Sequence, residues 1–147
     1  MITIRRLGPG DETVLAMLAR DDAAFDEEGR GRVRKPIGPA AAEYLADEQV
    51  LHWVAESDRA VVGHLLCYVQ RRRADEPAQL MLYEIGVRDD RRREGIGAAL
   101  VSEMDAWMAK NGVAKVWVLS TAEAEPFYLA CGFSRDNPAP IQMSRRL

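Results

Sequence analysis

Leu80-Met81-Leu82-Tyr83-Glu84-Ile85-Gly86-Val87, followed within five residues by Arg92-Arg93-Glu94-Gly95-Ile96-Gly97, decides the fold of this chain. The first run reads as a strand. The second is a short basic-glycine loop that opens a long amphipathic segment. Glycines let a backbone come close to an anion, and a helix N-terminus offers unpaired N–H groups with a favourable dipole. Arginines add charge-assisted hydrogen bonds. Strand, loop and helix together form a phosphate cradle. The loop lacks the Gly-Lys-Ser/Thr of a nucleotide-triphosphate loop and the three glycines of a dinucleotide fingerprint. A glycine pair could also serve only close packing of a helix on a strand. That reading leaves Arg91-Arg92-Arg93 at a helix start unexplained, because cations there oppose the dipole.

Outward from this stretch, the pattern orders itself as β–α–α–β–β–β–α–β–α–β. Ile2 to Arg6 alternates as a strand and stops at Gly8-Pro9-Gly10. Asp11 can cap a helix carrying Val14, Leu15, Leu18 and Ala19. From Asp21 to Pro39 periodicity fails and a long loop or broken helix is expected. Ala40 to Ala46 is a short helix. Val50 to Ala55 and Ala60 to Gln70 are strands turning at Ser57-Asp58. The polar run from Arg71 to Pro77 links to the strand Leu80–Val87. Gly95 to Lys110 places Ile96, Leu100, Val101, Met104, Trp107 and Met108 on one face and ends at Asn111-Gly112. Lys115 to Leu119 is a short strand, parallel to its predecessor because a helix intervenes. Pro126 starts a short helix, and Phe133–Ser134 and Ile141–Ser144 are weak closing strands. The expected architecture is a single α/β domain spanning residues 1–147, a mixed twisted sheet flanked by helices. Its ligand crevice lies between two parallel strands.

Composition sets the bounds. A chain of 147 residues can bury a substantial core, and a net charge of −3 gives no global support to nucleic-acid binding. No apolar run is long enough for a membrane span and no signal or transit pattern is present, so a cytoplasmic protein is expected. Cys67 and Cys131 lie apart in apolar contexts, as reduced thiols do. His52 and His64 sit in strands without partners at metal spacing, so no metal site is expected. They read as satisfied or half-exposed strand residues, with His64 a minor alternative base.

Glu84 is the sharpest single residue. It lies mid-strand among apolar, tyrosine and glycine neighbours, and period-two alternation puts it on one face with Leu82 and Gly86. A carboxylate there must be paired, hydrogen-bonded or shifted in pKa. Alone it would read as a structural ion pair; beside the cradle it reads as a general base. Asp21, Asp22, Asp26, Glu27 and Glu28 put five acids within eight residues. Such a run is usually a solvated loop. It would equally attract a cationic amine.

Arg92-x-x-Gly95-x-Gly97, with Phe127-Tyr128-x-x-x-Gly132-Phe133 downstream, resembles the two signatures of the GCN5-related N-acetyltransferases. Within them the chain is most similar to the aminoglycoside 3-N-acetyltransferase type I branch. Arg6-Leu7-Gly8-Pro9, Val61-Val62-Gly63, Tyr68-Val69, Glu76-Pro77 and Tyr83-Glu84-Ile85-Gly86-Val87 carry that likeness. The branch has aspartate where Glu84 stands. It also has acids near its C-terminus, where this chain has Asn137-Pro138-Ala139-Pro140 and Arg145-Arg146. The resemblance implies acetyl-CoA as cosubstrate and direct transfer to a primary amine in a ternary complex. Arg92, Arg93, Glu94, Gly95, Ile96, Gly97 and Ala98 would hold the pyrophosphate. The edge of Ile85, Gly86 and Val87 would pair with the pantetheine arm. Glu84 would act as base and Tyr128 as proton donor to the departing thiolate. Asp22, Asp26, Glu27 and Glu28 would wall the acceptor site. A homodimer is compatible with the resemblance. The acceptor the resemblance implies is the 3-amino group of an aminoglycoside antibiotic, with a peptide amine or a polyamine as alternatives, beside a non-catalytic acetyl-CoA sensor.

Overall fold

A computed structural model describes residues 1–21, 25 and 38–147. Five strands form one sheet in the order β1-β2-β3-β4-β5, with β1 at Thr3–Arg6, β2 at Val50–Ser57, β3 at Ala60–Gln70, β4 at Gln79–Val87 and β5 at Val116–Val118. All neighbours pair antiparallel except β4 and β5. The described helices are α1 (Glu12–Arg20), α2 (Ala40–Ala46), α3 (Ile96–Asn111) and α4 (Glu125–Ala130). The expected mixed sheet flanked by helices is therefore the observed one.

Each face of the sheet has its own core. On one side Leu51, Trp53, Ala55, Leu65, Cys67, Leu80 and Leu82 meet Ile96, Leu100, Val101, Met104 and Met108 of α3. Those helix residues are the apolar stripe expected from the sequence. Each fully buried leucine or methionine among them contributes about 1.5–3 kcal/mol relative to exposure. On the other side Val54 and Val61 meet Leu15 and Leu18 of α1, Ala41 and Leu45 of α2, and Phe25. The two-faced strands explain why β2 and β3 read as near-continuous apolar runs.

Several local expectations shift. The β2–β3 hairpin turns at Asp58-Arg59, one residue later than expected, with φ of 51° and 67°. Two consecutive left-handed residues match the twist of a tight hairpin. Asp11 precedes α1, but its carboxylate accepts from Arg5 and from the Gly8 N–H instead of capping the helix. The guanidinium of Arg5 also reaches Glu56, tying β1, β2 and the start of α1 together and holding the Asp11 carboxyl below its usual range.

The closing strands do not form: residues 133–147 contain no strand, and Ile141 and Met143 are exposed. Pro138 and Pro140 lack the N–H that a ladder needs, and they separate the two short apolar pieces. β5 consequently sits at the sheet edge and is half-buried.

Candidate active site

Two departures from regular strand geometry make the site. β5 follows β4 only from Leu80 to Leu82. Beyond that point Tyr83–Val87 has no strand on its β5 side among the described residues. A cleft of about 1030 Å³ opens there, lined by Glu84 to Val87 on one wall and Leu119 to Thr121, Ala124 and Phe127 to Tyr128 on the other. The second departure is a bulge. Leu66 of β3 faces Glu84 while the next residue, Cys67, faces Leu82. Tyr83 is thus an extra residue, and it reverses the alternation. Glu84 does not share a face with Leu82, as period-two counting requires. It shares one with Gly86 and with His64, across the sheet from the α3 core.

His64 Nε2 lies 3.7 Å from Glu84 Oε1, and both side chains are largely buried. Of the two expected states, satisfied or half-exposed, the histidines take the first: His52 and His64 are both buried, with ring-nitrogen partners. Their partners come from neighbouring strands and, for His52, also from Tyr44 of α2, and this pairing carries no spacing signal in the sequence. Gly86 leaves the space they need: a Cβ there would lie 3.3 Å from His64 Nε2 and 2.9 Å from the Phe25 carbonyl oxygen.

The floor of the cleft is the start of α3. Gly95 precedes the helix in a left-handed conformation, φ 79°, and no side chain caps the first turn. The first intrahelical bond to Gly95 runs from Ala99 N, so the first-turn amides of Ile96, Gly97 and Ala98 remain for a ligand. All three residues line the cleft, with Arg91, Arg92, Arg93 and Gly95. A Cβ at Gly95 would meet nothing within 4 Å, so that glycine is not there for packing. Gly97 is: its Cβ would lie 2.8 Å from Phe127 Cε1. The packing explanation of the glycine pair therefore holds at one of its two positions.

The arginines are more internally matched than the sequence suggests. Arg91 pairs with Glu94 at 2.7 Å and Arg92 with Asp89 at 2.8 Å, while Arg92 Nε donates to the Val87 carbonyl. The Arg91 guanidinium holds the Glu94 carboxyl below its usual range. Glu94 accordingly faces Arg91 with its side chain. Two of the three arginines thus have local counter-charges, and the unbonded helix amides are the loop's clearest anion-binding feature. An acyl-CoA pyrophosphate fits this donor set.

The sequence between residues 48 and 135 matches the profile of the acetyltransferase (GNAT) domain. The chain belongs to this family. It is an N-acetyltransferase with the single GNAT fold. No curated protein sequence matches it. Among solved structures it resembles the aminoglycoside acetyltransferase meta-AAC0020 from an uncultured soil metagenomic sample, with TM-score 0.82, 21% identity, and coverage of 99% of this chain and 94% of that one. AAC(6')-Iy bound to a CoA-linked acetylneamine bisubstrate analogue superimposes with TM-score 0.80 at 16% identity, covering 100% and 99%. A ribosomal-protein-alanine N-acetyltransferase from Brucella melitensis biovar Abortus 2308 gives 0.77 at 21%, covering 99% and 98%. The fold is thus shared by enzymes named for aminoglycosides and for a ribosomal-protein alanine.

Tyr128 is buried among Phe127 and Phe133, with ring centroids 5.4 Å from each, and it lines the same cleft as Glu84. Its neighbour Phe127 packs on Gly97, so the second signature is braced by the first. The acceptor candidates Asp22, Asp26, Glu27 and Glu28 lie outside the described residues. Phe25, which stands between them in sequence, is buried, packs edge-on against His64 at 5.5 Å and lines the cleft.

Proposed function

We propose that the protein acetylates a primary amine of a polycationic amino sugar, the 3-amino group of an aminoglycoside, and thereby confers resistance. The observation that carries the transfer reaction is the single cleft that gathers Glu84, Tyr128 and the uncapped start of α3. Acetyl-CoA supplies the activated acetyl thioester. Amides of Arg93, Gly95, Gly97 and Ala98, with Arg92, bind the pyrophosphate at the helix N-terminus. Because β5 diverges after Leu82, the backbone of Ile85, Gly86 and Val87 can receive the pantetheine arm as an added strand. An N–H of this edge polarises the thioester carbonyl. Glu84 takes a proton from the acceptor ammonium, directly or through a water, and Tyr128 returns one to the departing thiolate. Holding both substrates in one cleft supplies much of the acceleration.

The amino-sugar acceptor is supported by the branch resemblance and by Phe25, which stands at the Glu84 end of the cleft with acids on both sides of it in sequence. Its 3-position rests on the resemblance alone, since a structural neighbour is named for 6'-acetylation. A protein N-terminus is the second reading, favoured by the ribosomal-protein-alanine neighbour. A thiol-release assay with acetyl-CoA against sisomicin, spermidine and an alanine-initiated peptide separates them. Turnover confined to the peptide overturns the amino-sugar reading, and product NMR assigns the position. The protein would work in the cytoplasm, where acetyl-CoA is available, alone or as a homodimer.

A further inference from the structure

Behind Glu84 the sheet buries a polar chain that the steps above do not use. Tyr44 Oη of α2 lies 2.9 Å from His52 Nδ1, and His52 Nε2 lies 3.1 Å from His64 Nδ1. His64 Nε2 then faces Glu84 Oε1 at 3.7 Å. Four elements contribute one residue each: α2, β2, β3 and β4. Tyr44, His52 and His64 are not among the residues lining the cleft. Among the described residues, their polar link to the cleft runs through His64 to Glu84.

The chain has a direction. Burial first, and the neighbouring His64 second, push the His52 imidazole down to about 3, so this ring is neutral and carries one N–H. Burial pushes the Tyr44 hydroxyl up, so it keeps its proton. With a neutral His64, two polarities satisfy the two hydrogen bonds. In one, Tyr44 O–H donates to His52 Nδ1, His52 Nε2–H donates to His64 Nδ1, and His64 Nε2–H faces the carboxylate. The reverse would aim the bare Nε2 lone pair of a neutral His64 at the Glu84 carboxylate. An ionised Glu84 selects the first, because a neutral ring's tautomer is set by what its other nitrogen meets.

We propose that His64 is a positioning residue for acetyl transfer, its Nε2–H locked in tautomer by His52 and Tyr44 and directed at the Glu84 carboxylate so that the base stays ionised and oriented toward the acceptor amine. The inference rests on Glu84 being the base. The bulge at Tyr83 is what makes it possible, since regular alternation would aim Glu84 into the α3 core. Gly86 and Phe25 complete the seat by leaving room for the His64 ring and packing on its edge. The described titratable groups facing Glu84 are His64 and Tyr68 of β3 and Tyr44 of α2, with His52 of β2 one bond further and Tyr83 adjacent on β4.

Two measurements test it. Long-range nitrogen-15 NMR of the resting protein reads the tautomers without any substrate: Nε2–H is expected on both rings, and Nδ1–H on either overturns the proposal. The second is the pH profile of kcat at saturating acetyl-CoA and sisomicin, with spermidine or the peptide substituted if that is the acceptor that turns over. Saturation removes the free amine's own titration. His64→Leu should move the ascending limb up by about one pH unit or less, the scale of one N–H dipole withdrawn from beside a carboxylate. Tyr44→Phe, which loses only a hydroxyl, should move it the same way by less. His64→Gln keeps an N–H donor and should return the limb toward the parent. CoA affinity should not change in any of the three. Reduced kcat with an unmoved limb in His64→Leu and Tyr44→Phe marks a packing role and overturns the proposal; an unmoved limb in Tyr44→Phe suffices if His64→Leu does not fold. Glu84→Gln separates the two levels. If it retains full turnover, the base assignment fails. If it is inactive while the histidine variants keep the parental limb, only this inference fails.

Discussion

The two glycines of the cofactor loop should respond to substitution in opposite ways. At Gly97 an added methyl would sit 2.8 Å from Phe127 Cε1 and 3.1 Å from Cζ, a contact that forces the ring to move. Overpacking of this kind costs about 1–3 kcal/mol. Alanine returns up to about 1 kcal/mol of helix propensity. The net for Gly97→Ala is a loss of about 1 kcal/mol, or roughly 2–4 °C in Tm for a chain of this size. Phe127 also packs on Tyr128, so kcat should fall while CoA, which meets the amides of the first turn, still binds. Gly95→Val should behave inversely. Nothing lies within 4 Å of its Cβ position, and its stability cost is the roughly 1–2 kcal/mol of a side chain held at φ 79°. Its methyls, however, occupy space the pyrophosphate needs, and CoA affinity should drop by more than about tenfold, or 1.4 kcal/mol. Calorimetry of CoA binding beside thermal melts of both variants provides the comparison. Parental CoA affinity in a folded Gly95→Val protein refutes the cradle. A parental Tm and kcat in Gly97→Ala refutes the claim that the helix start braces the Tyr128 segment.

Four further outcomes are expected. Glu84→Gln should lower kcat on the order of a hundredfold near neutral pH and flatten the lower limb of the pH–rate profile, with CoA affinity unchanged by calorimetry. Tyr128→Phe should depress kcat more than Tm; intact turnover would make Tyr128 a packing residue. Because the folded His52 pKa is about 3 against an unfolded value near 6.5, its burial stabilises fully above about pH 6.5. That contribution should be lost as pH falls from about 6.5 toward 3, by at most about 1.4 kcal/mol per unit, so denaturant midpoints of His52→Leu should vary less with pH over that window than those of the parent. Neutralising Asp22, Asp26, Glu27 and Glu28 together should raise KM for an aminoglycoside at low salt far more than KM for acetyl-CoA, and the difference should shrink with added salt. An unchanged aminoglycoside KM at low salt would reduce the run to a solvated loop.

Much of this was legible because it is local in sequence. The α3 stripe needs only a 3.6-residue period, and the parallel β4–β5 step follows from the helix between them. The cradle announces itself through glycine and arginine at a strand–helix junction. Less legible were the arginine pairings with Asp89 and Glu94, since charge counting treats every cation near a helix start as available. The tail misled for a different reason. Phe133–Ser134 and Ile141–Ser144 have the residue types of strands, but a strand exists only where an edge pairs with it, and Pro138 and Pro140 interrupt the approach to β5.

Glu84 shows where local reading stops. Its identity as a strand carboxylate beside a phosphate loop was visible, and its face was not. One extra residue, Tyr83, changes which side of the sheet the carboxylate occupies, and nothing in Leu82-Tyr83-Glu84 marks a bulge. The consequence is larger than a change of face. On the Leu82 side Glu84 would meet the fully buried leucines beneath α3, where a charge costs several kcal/mol without a partner. On the side it takes, it meets His64. Two histidines separated by eleven residues, which spacing alone reads as unrelated, thereby become neighbours of the proposed base. The bulge that re-aims the acid and the divergence of β5 that opens the cleft occur within one residue of each other, at Leu82 and Tyr83. Regular pairing that kept Tyr83 in the ladder would turn Glu84 to the Leu82 face and remove it from both its substrate and its histidine partner at once. Deleting Tyr83, by contrast, would set Glu84 directly after Leu82, still opposite Leu66 and on the face of His64, so turnover should survive that deletion better than it survives Glu84→Gln.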